Sequence, residues 1–234
     1  MRIAVDVMGG DHAPDAIIRG CVEALAYLAP EDELVLVGRK HDIEELIADR
    51  RVSDSRVRFV FTEQIIDMDE SPAKAIKSKP DSSIVKMAWL GSRRSDLPCD
   101  VVLSAGNTGA CVAAATVQMR RLPGVHRPGI AVTIPAFHGP LILSDAGANP
   151  EPRPSHLWQY GIMSSVFAET ALGMKSPRVA TLNIGSEEGK GTDLIKSTHD
   201  LLKQTPGLNY IGYIEGRDLF DGVADVVVTD GFVG

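Results

Sequence analysis

The sequence has only three cysteines and no long hydrophobic run, and both absences restrict the class of protein. Cys21, Cys99 and Cys111 are odd in number and show no CxxC spacing, which is typical of core cysteines rather than of disulfides, metal ligands or a nucleophile. The longest mainly apolar stretch, residues 130–143, is interrupted by prolines and is too short to span a bilayer as a helix. The chain opens on a strand-like segment without an apolar leader, so the sequence predicts a cytoplasmic protein.

Several motifs for catalysis or cofactor binding are also missing. There is no GxGxxG, so a common dinucleotide site is unsupported, and no GxSxG or HExxH, so a hydrolase elbow and a zincin site are unsupported too. The six histidines do not cluster with cysteines at metal-ligand spacing. We therefore expect neither a metal nor a cofactor.

The charge balance is acidic. Among 234 residues, 24 are Lys or Arg and 31 are Asp or Glu, giving a net charge of −7, which disfavours a nucleic acid or an anionic membrane surface as a general partner. An anionic ligand must then be held by local groups. Hydrophobic residues make up 44% of the chain, which is enough for the core of a globular protein.

Apolar, β-branched runs alternate with helical patterns along the whole chain, and this predicts an α/β fold with a mostly parallel sheet covered by helices. The predicted strands are residues 3–7, 34–37, 57–61, 101–103, 130–134, 141–143, 179–184, 210–214 and 226–228. The clearest helices are predicted from Pro14 to Leu28 and over residues 155–171 and 192–202. We expect one domain, residues 1–234, with a subdivision near residues 122–127 left open.

The end of the sequence departs from this alternation. The last predicted strand is followed by only six residues, although a βαβ pattern calls for a helix there. This favours a chain that is truncated at its C-terminus, and a short natural tail is the alternative.

Loops that follow strands are the expected ligand positions, because open α/β sheets bind ligands outside the carboxyl ends of their strands. In the first loop, Gly9 and Gly10 let the backbone approach a ligand, and Asp6 and Asp11 supply acceptors. A turn with a helix-capping aspartate is the alternative interpretation.

The loop at residues 104–110 precedes a helix-like pattern and is rich in small residues, so backbone N–H groups at a helix N-terminus are left uncovered for a phosphate-sized anion. A simple cap by Asn107 or Thr108 would explain the polar residues but not the whole glycine-rich run. The candidate phosphate-binding residues are Ser104, Gly106, Asn107, Thr108 and Gly109.

Two later loops carry further candidates. Asp145 and Asn149 could orient a substrate, although an Asx turn explains Asn149 equally well. The run over residues 183–192 resembles a Walker A loop but fails its spacing, so Lys190 is interpreted as a point charge for phosphate or an oxyanion, or else as a solvated surface lysine. The remaining candidates for the cleft are Asn183, Glu187 and Asp230. Residues 215–218, 221–222 and 230–234 carry carboxylates and glycines towards the same sheet edge, which suggests a polar cleft.

Taken together, these segments resemble the phosphate acyltransferase family of bacterial phospholipid synthesis. The matching segments run in chain order through residues 6–11, 70–79, 104–110, 145–149, 183–191 and 230–234. The resemblance implies a three-layer α/β/α sandwich similar to the phosphotransacetylase and isocitrate/isopropylmalate dehydrogenase superfamily, normally a homodimer. It also implies transfer of an acyl group from acyl carrier protein to inorganic phosphate.

The resemblance assigns a catalytic part to Lys190. The resemblance places the family's asparagine partner one position beyond Gly234. The region that the family uses for dimer helices and peripheral membrane contact is expected after that point. The basic residues Arg120, Arg121 and Arg127 are candidate contacts for an acidic carrier protein.

The chemistry agrees with the resemblance to phosphate acyltransferases, because phosphate is itself a nucleophile and no covalent intermediate is required. We expect the loop at residues 104–109 to hold phosphate and Lys190 to neutralise phosphate or the oxyanion, with Asp145, Asn149 and Asp230 orienting groups at one rim of the sheet. Three alternatives stay open: a short-chain phosphate acetyl- or butyryltransferase that uses coenzyme A, a metal- and NAD-dependent decarboxylating dehydrogenase, and a non-catalytic fragment.

Overall fold

The computed structural model describes residues 1–50, 53–187 and 189–234. The chain divides into two compact units, Met1–Leu122 and Pro123–Gly234, and each is described by itself. The boundary falls at the start of the segment where the sequence left a subdivision open.

Unit 1 is built on a four-stranded parallel sheet in the order β3-β2-β1-β4. Its strands are β1 (Arg2–Asp6), β2 (Glu33–Gly38), β3 (Val57–Phe61) and β4 (Val101–Leu103). Its helices are α1 (Asp15–Ala24), α2 (Lys40–Asp49), α3 (Pro72–Ser78), α4 (Ser83–Leu90) and α5 (Thr108–Gln118).

The central strands β1 and β2 of unit 1 are buried on both faces, which is why they are mainly apolar rather than alternating, whereas the edge strands β3 and β4 are partly exposed. Val5 and Leu36 pack on one face against Ile18 of α1 and Ile43 of α2. On the opposite face, residues from the same strands pack against α4 in a second cluster: Ala4, Val35, Val37, Met87 and Leu90. Unit 1 is therefore a three-layer α/β/α arrangement.

Unit 2 contains a five-stranded sheet in the order β5-β6-β9-β7-β8. Its strands are β5 (Ala131–Ala136), β6 (Gly139–Ser144), β7 (Val179–Leu182), β8 (Tyr210–Ile214) and β9 (Val226–Val228). Its helices are α6 (Pro154–Leu172) and α7 (Asp193–Lys203), and a short 3₁₀ helix spans Gly216–Phe220. Strands β5 and β6 form an antiparallel hairpin, and the other pairings are parallel.

Alternation along the strands of unit 2 divides its core between two faces. Ile142, Val179 and Val228 pack with Leu157 and Tyr160 of α6 in one cluster. Leu141, Ala180 and Val227 belong to a second cluster, which includes Leu219 and Ala224 from the connection between β8 and β9. Helices therefore cover one face of this sheet, and the β8–β9 connection lies on the other.

The α/β class with mostly parallel strands is confirmed, and each predicted strand is present to within two residues at either end. The strands form two sheets rather than one, because strand pairing is set by long-range contacts that local patterns do not encode. The sequence did not locate α2 or α4, and α4 is buried nearly all round, so it lacks a polar face. Within the described residues, no helix combines the length and the apolar character that crossing a membrane requires.

Candidate functional site

In unit 1 the loops after β1 and β4 lie side by side, because these two strands are paired in parallel with Val5 opposite Leu103. The backbones touch at two predicted positions: a Cβ atom on Gly9 would lie 2.7 Å from the amide nitrogen of Gly106. Gly10 has a φ of +107°, a conformation that favours glycine. Glycine is therefore required for the close approach of the two loops.

Asp6 lies beneath these loops and is fully buried. It accepts hydrogen bonds from the Ser104 hydroxyl at 2.7 Å and from the Met8 N–H at 3.0 Å. Burial raises the pKa of Asp6 above its ordinary value, although hydrogen bonds from Ser83 and Ser104 act in the opposite direction. Asp6 therefore joins the two loops from inside, whereas Asp11 is exposed on the first loop.

Helix α5 begins with a side-chain cap by Asn107, which was the alternative interpretation of this loop. The Asn107 side chain accepts a hydrogen bond from the Ala110 N–H at 3.0 Å. Its amide group also donates to the carbonyl oxygens of Asp67, Met68 and Glu70 at 3.0–3.2 Å. The Asn107 side chain is thus committed to holding the loop and the helix start together.

The groups left for an anion at this helix start belong to the backbone. Within residues 1–50, 53–187 and 189–234, the N–H groups of Thr108 and Gly109 have no hydrogen-bond acceptor, and both residues are exposed. The Ser104 hydroxyl proton is already given to Asp6, and its oxygen accepts the Gly106 N–H at 3.0 Å. The start of α5 therefore presents two free backbone donors rather than a ring of side chains.

In unit 2, Asp145 follows β6 and is fully buried. Its Oδ1 accepts hydrogen bonds from the N–H groups of Ile130 at 2.9 Å and Ala148 at 3.1 Å. Its Oδ2 accepts from the backbone N–H and the side-chain amide of Asn149, both at 2.8 Å. Both carboxylate oxygens of Asp145 are therefore occupied by hydrogen bonds from residues 130, 148 and 149, and these bonds stabilise the turn.

Asn149 connects this turn to its surroundings. Its side-chain amide lies 2.8 Å from the Pro128 carbonyl oxygen and 2.9 Å from the Tyr160 hydroxyl, and its Oδ1 accepts from Arg127 at 3.4 Å. Burial, followed by the Asp145 charge, raises the pKa of Tyr160 to about 12, so its hydroxyl stays protonated. The sequence did not single out Tyr160, whose only signal is its place on the buried face of α6.

Asp230 forms a second turn beside the first. Its Oδ1 accepts from the N–H groups of Phe232 at 2.9 Å and Val233 at 3.0 Å, while the Gly231 N–H donates to the Asn149 carbonyl oxygen at 2.9 Å. The structure therefore brings together Asn149 and the start of the Asp230 turn, as expected for loops after the adjacent strands β6 and β9.

A groove of about 770 Å³ opens in unit 2 among the loops after β7, β8 and β9. It combines apolar side chains with polar groups. The lining residues are Leu182, Asn183, Ile184, Gly191, Thr192, Ile195, Glu215, Gly216, Arg217, Thr229, Asp230 and Val233. Two of the predicted cleft residues, Asn183 and Asp230, thus line one groove, together with Glu215 and Arg217 from the segment 215–218 that was expected at the same sheet edge.

Lys190 lies in the glycine-rich loop at this groove. Its ammonium group is half-exposed and pairs with the Glu187 carboxylate at 2.9 Å, and this contact lowers the pKa of Glu187. The Asn183 amide donates to the Lys190 carbonyl oxygen at 3.2 Å, which closes the loop. Glu188, the second glutamate of this motif, lies outside the described residues.

No metal site is formed by the part of the chain that the structure describes, since no group of three or more His, Cys, Asp or Glu side chains is placed to hold an ion.

Solved structures similar to this chain include two phosphotransacetylases. The enzyme from Streptococcus pyogenes has a TM-score of 0.69 at 15% identity, covering 100% of this chain and 78% of that one. The EutD phosphotransacetylase from Staphylococcus aureus has a TM-score of 0.67 at 18% identity, covering 100% and 79%. At these identities the likeness defines the fold, which is that of the phosphotransacetylases.

The sequence comparisons define the family. The model described as "Fatty acid synthesis protein" matches residues 1–234. A phosphate acyltransferase from Dictyoglomus turgidum is 43% identical over 235 residues, an alignment that covers 100% of this chain and 68% of the relative. The chain belongs to the phosphate acyltransferase family, and the resemblance drawn from its loop motifs is confirmed.

Proposed function

We propose that this chain transfers a fatty acyl group from acyl carrier protein to inorganic phosphate and so supplies acyl phosphate for phospholipid synthesis. Transfer of an acyl group to phosphate rests on the match of the whole chain to the family. The observation that carries the phosphate half of the reaction is the pair of unoccupied backbone donors at the start of α5. The carrier-protein donor comes from the family resemblance.

The reaction needs little acid–base help. A phosphate oxygen attacks the thioester carbonyl carbon, a tetrahedral oxyanion forms, and the carbon–sulfur bond breaks to release the carrier as a thiolate, which then takes up a proton. The protein has to hold the two reactants and stabilise the oxyanion, and positioned donors and charges do both.

Phosphate is assigned to the loop at residues 104–109. The N–H groups of Thr108 and Gly109 point out of the first turn of α5, where the helix dipole favours an anion. Gly109 keeps the backbone accessible, whereas Gly106 is buried against Gly9. Ser104 and Asn107 act as positioning residues through their contacts with Asp6 and residues 67–70.

Lys190 is assigned to the charge that builds up on phosphate or on the oxyanion. Glu187 holds the ammonium group at 2.9 Å and fixes the position from which it acts. Asn183 supports the same loop from the rim of the groove.

The groove of unit 2 is assigned to the thioester substrate, since its apolar side chains Ile184 and Ile195 suit an aliphatic group and its polar rim suits an amide-bearing arm. Asp145, Asn149 and Asp230 hold the turns around it, and we class all three as positioning residues. Homodimer formation and peripheral membrane contact are further proposals from the resemblance, and sedimentation and vesicle binding test them.

The direct test is to supply phosphate with a long-chain acyl thioester of either acyl carrier protein or coenzyme A and to quantify acyl phosphate. We expect turnover with the carrier thioester to exceed that with the coenzyme A thioester at least tenfold. The reverse preference, with short acyl chains favoured, would support the acetyl- or butyryltransferase alternative to which the shared fold points. Failure to bind phosphate at millimolar concentration would support a non-catalytic role.

A further inference from the structure

A cluster of basic side chains lies in unit 2 at the start of α6, outside the groove. It comprises His126, Arg127, Arg153 and His156, and we refer to it as the α6 basic cluster. Three of its members are exposed, and His156 is buried between them. No part of the reaction described above uses it.

The cluster is fixed by contacts between residues 124–128 and the first turns of α6. The His126 N–H donates to the Gln159 side chain at 2.9 Å, and the Gln159 amide donates to the Gly124 carbonyl oxygen at 2.8 Å. The rings of His126 and His156 meet edge to face with centroids 6.1 Å apart. The Arg153 N–H donates to His156 Nδ1 at 3.1 Å, so the four side chains share one surface.

The two charged side chains of the cluster, Arg127 and Arg153, are both positive. Burial lowers the pKa of His156, and coulombic interactions with Arg127, His126 and Arg153 lower it further. Arg127 and Arg153 form no ion pair with any residue that the structure describes. A surface of this kind is notable in a chain with a net charge of −7, because it is a local reversal of the overall charge.

We propose that the α6 basic cluster is the docking surface for the acidic face of the carrier protein that brings the acyl group, an inference that rests on the proposed function. Exposed guanidinium groups suit carboxylates of a partner protein, because each can bind a carboxylate through two parallel N–H donors. Arg127 also contacts Asn149, which borders the Asp230 turn at the groove, so the docked carrier is held close to the proposed thioester site.

The test measures the dissociation constant of the unacylated carrier protein for this chain and for the double variant Arg127→Glu/Arg153→Glu at low salt. The matched control is Lys175→Glu/Lys196→Glu, which changes the net charge of the same unit equally at positions outside the cluster. If the charge reversal prevents folding, the neutral double variant Arg127→Gln/Arg153→Gln is measured instead. Acyl phosphate formation from an acyl-coenzyme A thioester is measured in parallel as a readout that bypasses docking.

We expect Arg127→Glu/Arg153→Glu to weaken carrier binding roughly tenfold to a hundredfold. Carrier binding by the control variant should stay within about threefold of the original chain, and so should acyl phosphate formation by Arg127→Glu/Arg153→Glu from the coenzyme A thioester. Unchanged carrier binding in both Arg variants would overturn the docking surface and leave the donor assignment standing. A chain that forms acyl phosphate from the coenzyme A thioester but binds no carrier would overturn both the surface and the donor. Loss of carrier binding in a chain without acyl transfer would support the surface and refute the proposed function.

Discussion

The Ser104 hydroxyl donates a hydrogen bond to Asp6 Oδ2 at 2.7 Å, although the two residues lie 98 positions apart in the sequence. The bond joins the ends of two paired parallel strands, and Gly9 and Gly106 pack against each other beside it. The start of α5, where we place phosphate, is thus held to the first loop by one buried carboxylate.

Asp6→Asn should change how stability depends on pH. Burial raises the pKa of Asp6 above its ordinary 3.8, so the folded chain binds this proton more tightly than the unfolded chain does. The carboxyl's contribution to stability is therefore fully present below about pH 3.8 and is lost as the pH rises through the folded pKa. Asparagine cannot ionise, so the melting temperature of the variant relative to the original chain should rise as the pH increases from about 3.5 to 7.

The control for this measurement is Asp69→Asn, which makes the same exchange at an exposed position. Its difference from the original chain is the baseline with which the Asp6→Asn difference is compared. An Asp6→Asn difference that follows this baseline would mean that the buried carboxyl is not the group that titrates.

Thr108→Pro isolates one backbone donor at the proposed phosphate site. Thr108 is the first residue of α5, a position where proline is well tolerated, and the preceding Asn107 has φ −56° and ψ 107°, which suits a residue before proline. The variant loses the N–H that we assign to phosphate, together with the side-chain hydroxyl, which the companion variant below tests separately. A lost hydrogen bond to a charged group costs about 1.5–3 kcal/mol, so the KM for phosphate should rise roughly tenfold to a hundredfold.

Thr108→Ala is the companion variant, because it removes the hydroxyl and keeps the N–H. Its KM for phosphate should stay within about threefold of the original, a difference under about 1 kcal/mol. Equal KM increases in the two variants would point to the side chain, and no increase in either would remove phosphate from this helix.

Lys190→Ala should lower kcat/KM for acyl phosphate formation at least tenfold, because the variant loses the only charge that we place on the oxyanion or phosphate. Glu187→Gln should cost less, since it releases the ammonium group from its 2.9 Å ion pair and leaves its charge in place. Lys175→Ala, at an exposed position after α6, is the control. A loss within about threefold for Lys190→Ala, under about 1 kcal/mol in the barrier, would contradict the assigned role.

The sequence located the loops of the site better than it described their side chains. Strand periodicity places Asp6 near the end of a strand and Ser104 and Asp145 just after strands, and the structure agrees, with Asp6 as the last residue of β1. What the pattern could not show is which side chains turn inward, because that depends on partners distant in sequence. Asn107 was a candidate phosphate ligand, yet its amide is held by residues 67–70, nearly 40 positions away.

The same limit applies to the basic residues. Arg127 is close to His156 in space because Gln159 and Tyr160 bind residues 124–128, and neither contact has a local sequence signal. Spacing rules detect chemistry within one loop, whereas these groupings come from tertiary contacts.

Asn149→Asp tests whether the Asp145 turn is held as tightly as its hydrogen bonds indicate. The Asn149 amide donates to Asp145 Oδ2 at 2.8 Å in a fully buried setting, so an introduced carboxylate would place two negative charges in contact there. We expect a loss of about 3–5 kcal/mol in the free energy of unfolding at pH 7, measured by urea titration, because one of these charges has no partner. The loss should shrink as the pH falls towards 4, since protonation of the introduced carboxyl removes the repulsion and restores a donor.

Asn209→Asp, the same exchange at an exposed residue, should change stability by under about 1 kcal/mol. A small, pH-independent loss for Asn149→Asp would show that the turn yields to the new charge, and Asp145 and Asn149 would then no longer qualify as positioning residues for the groove.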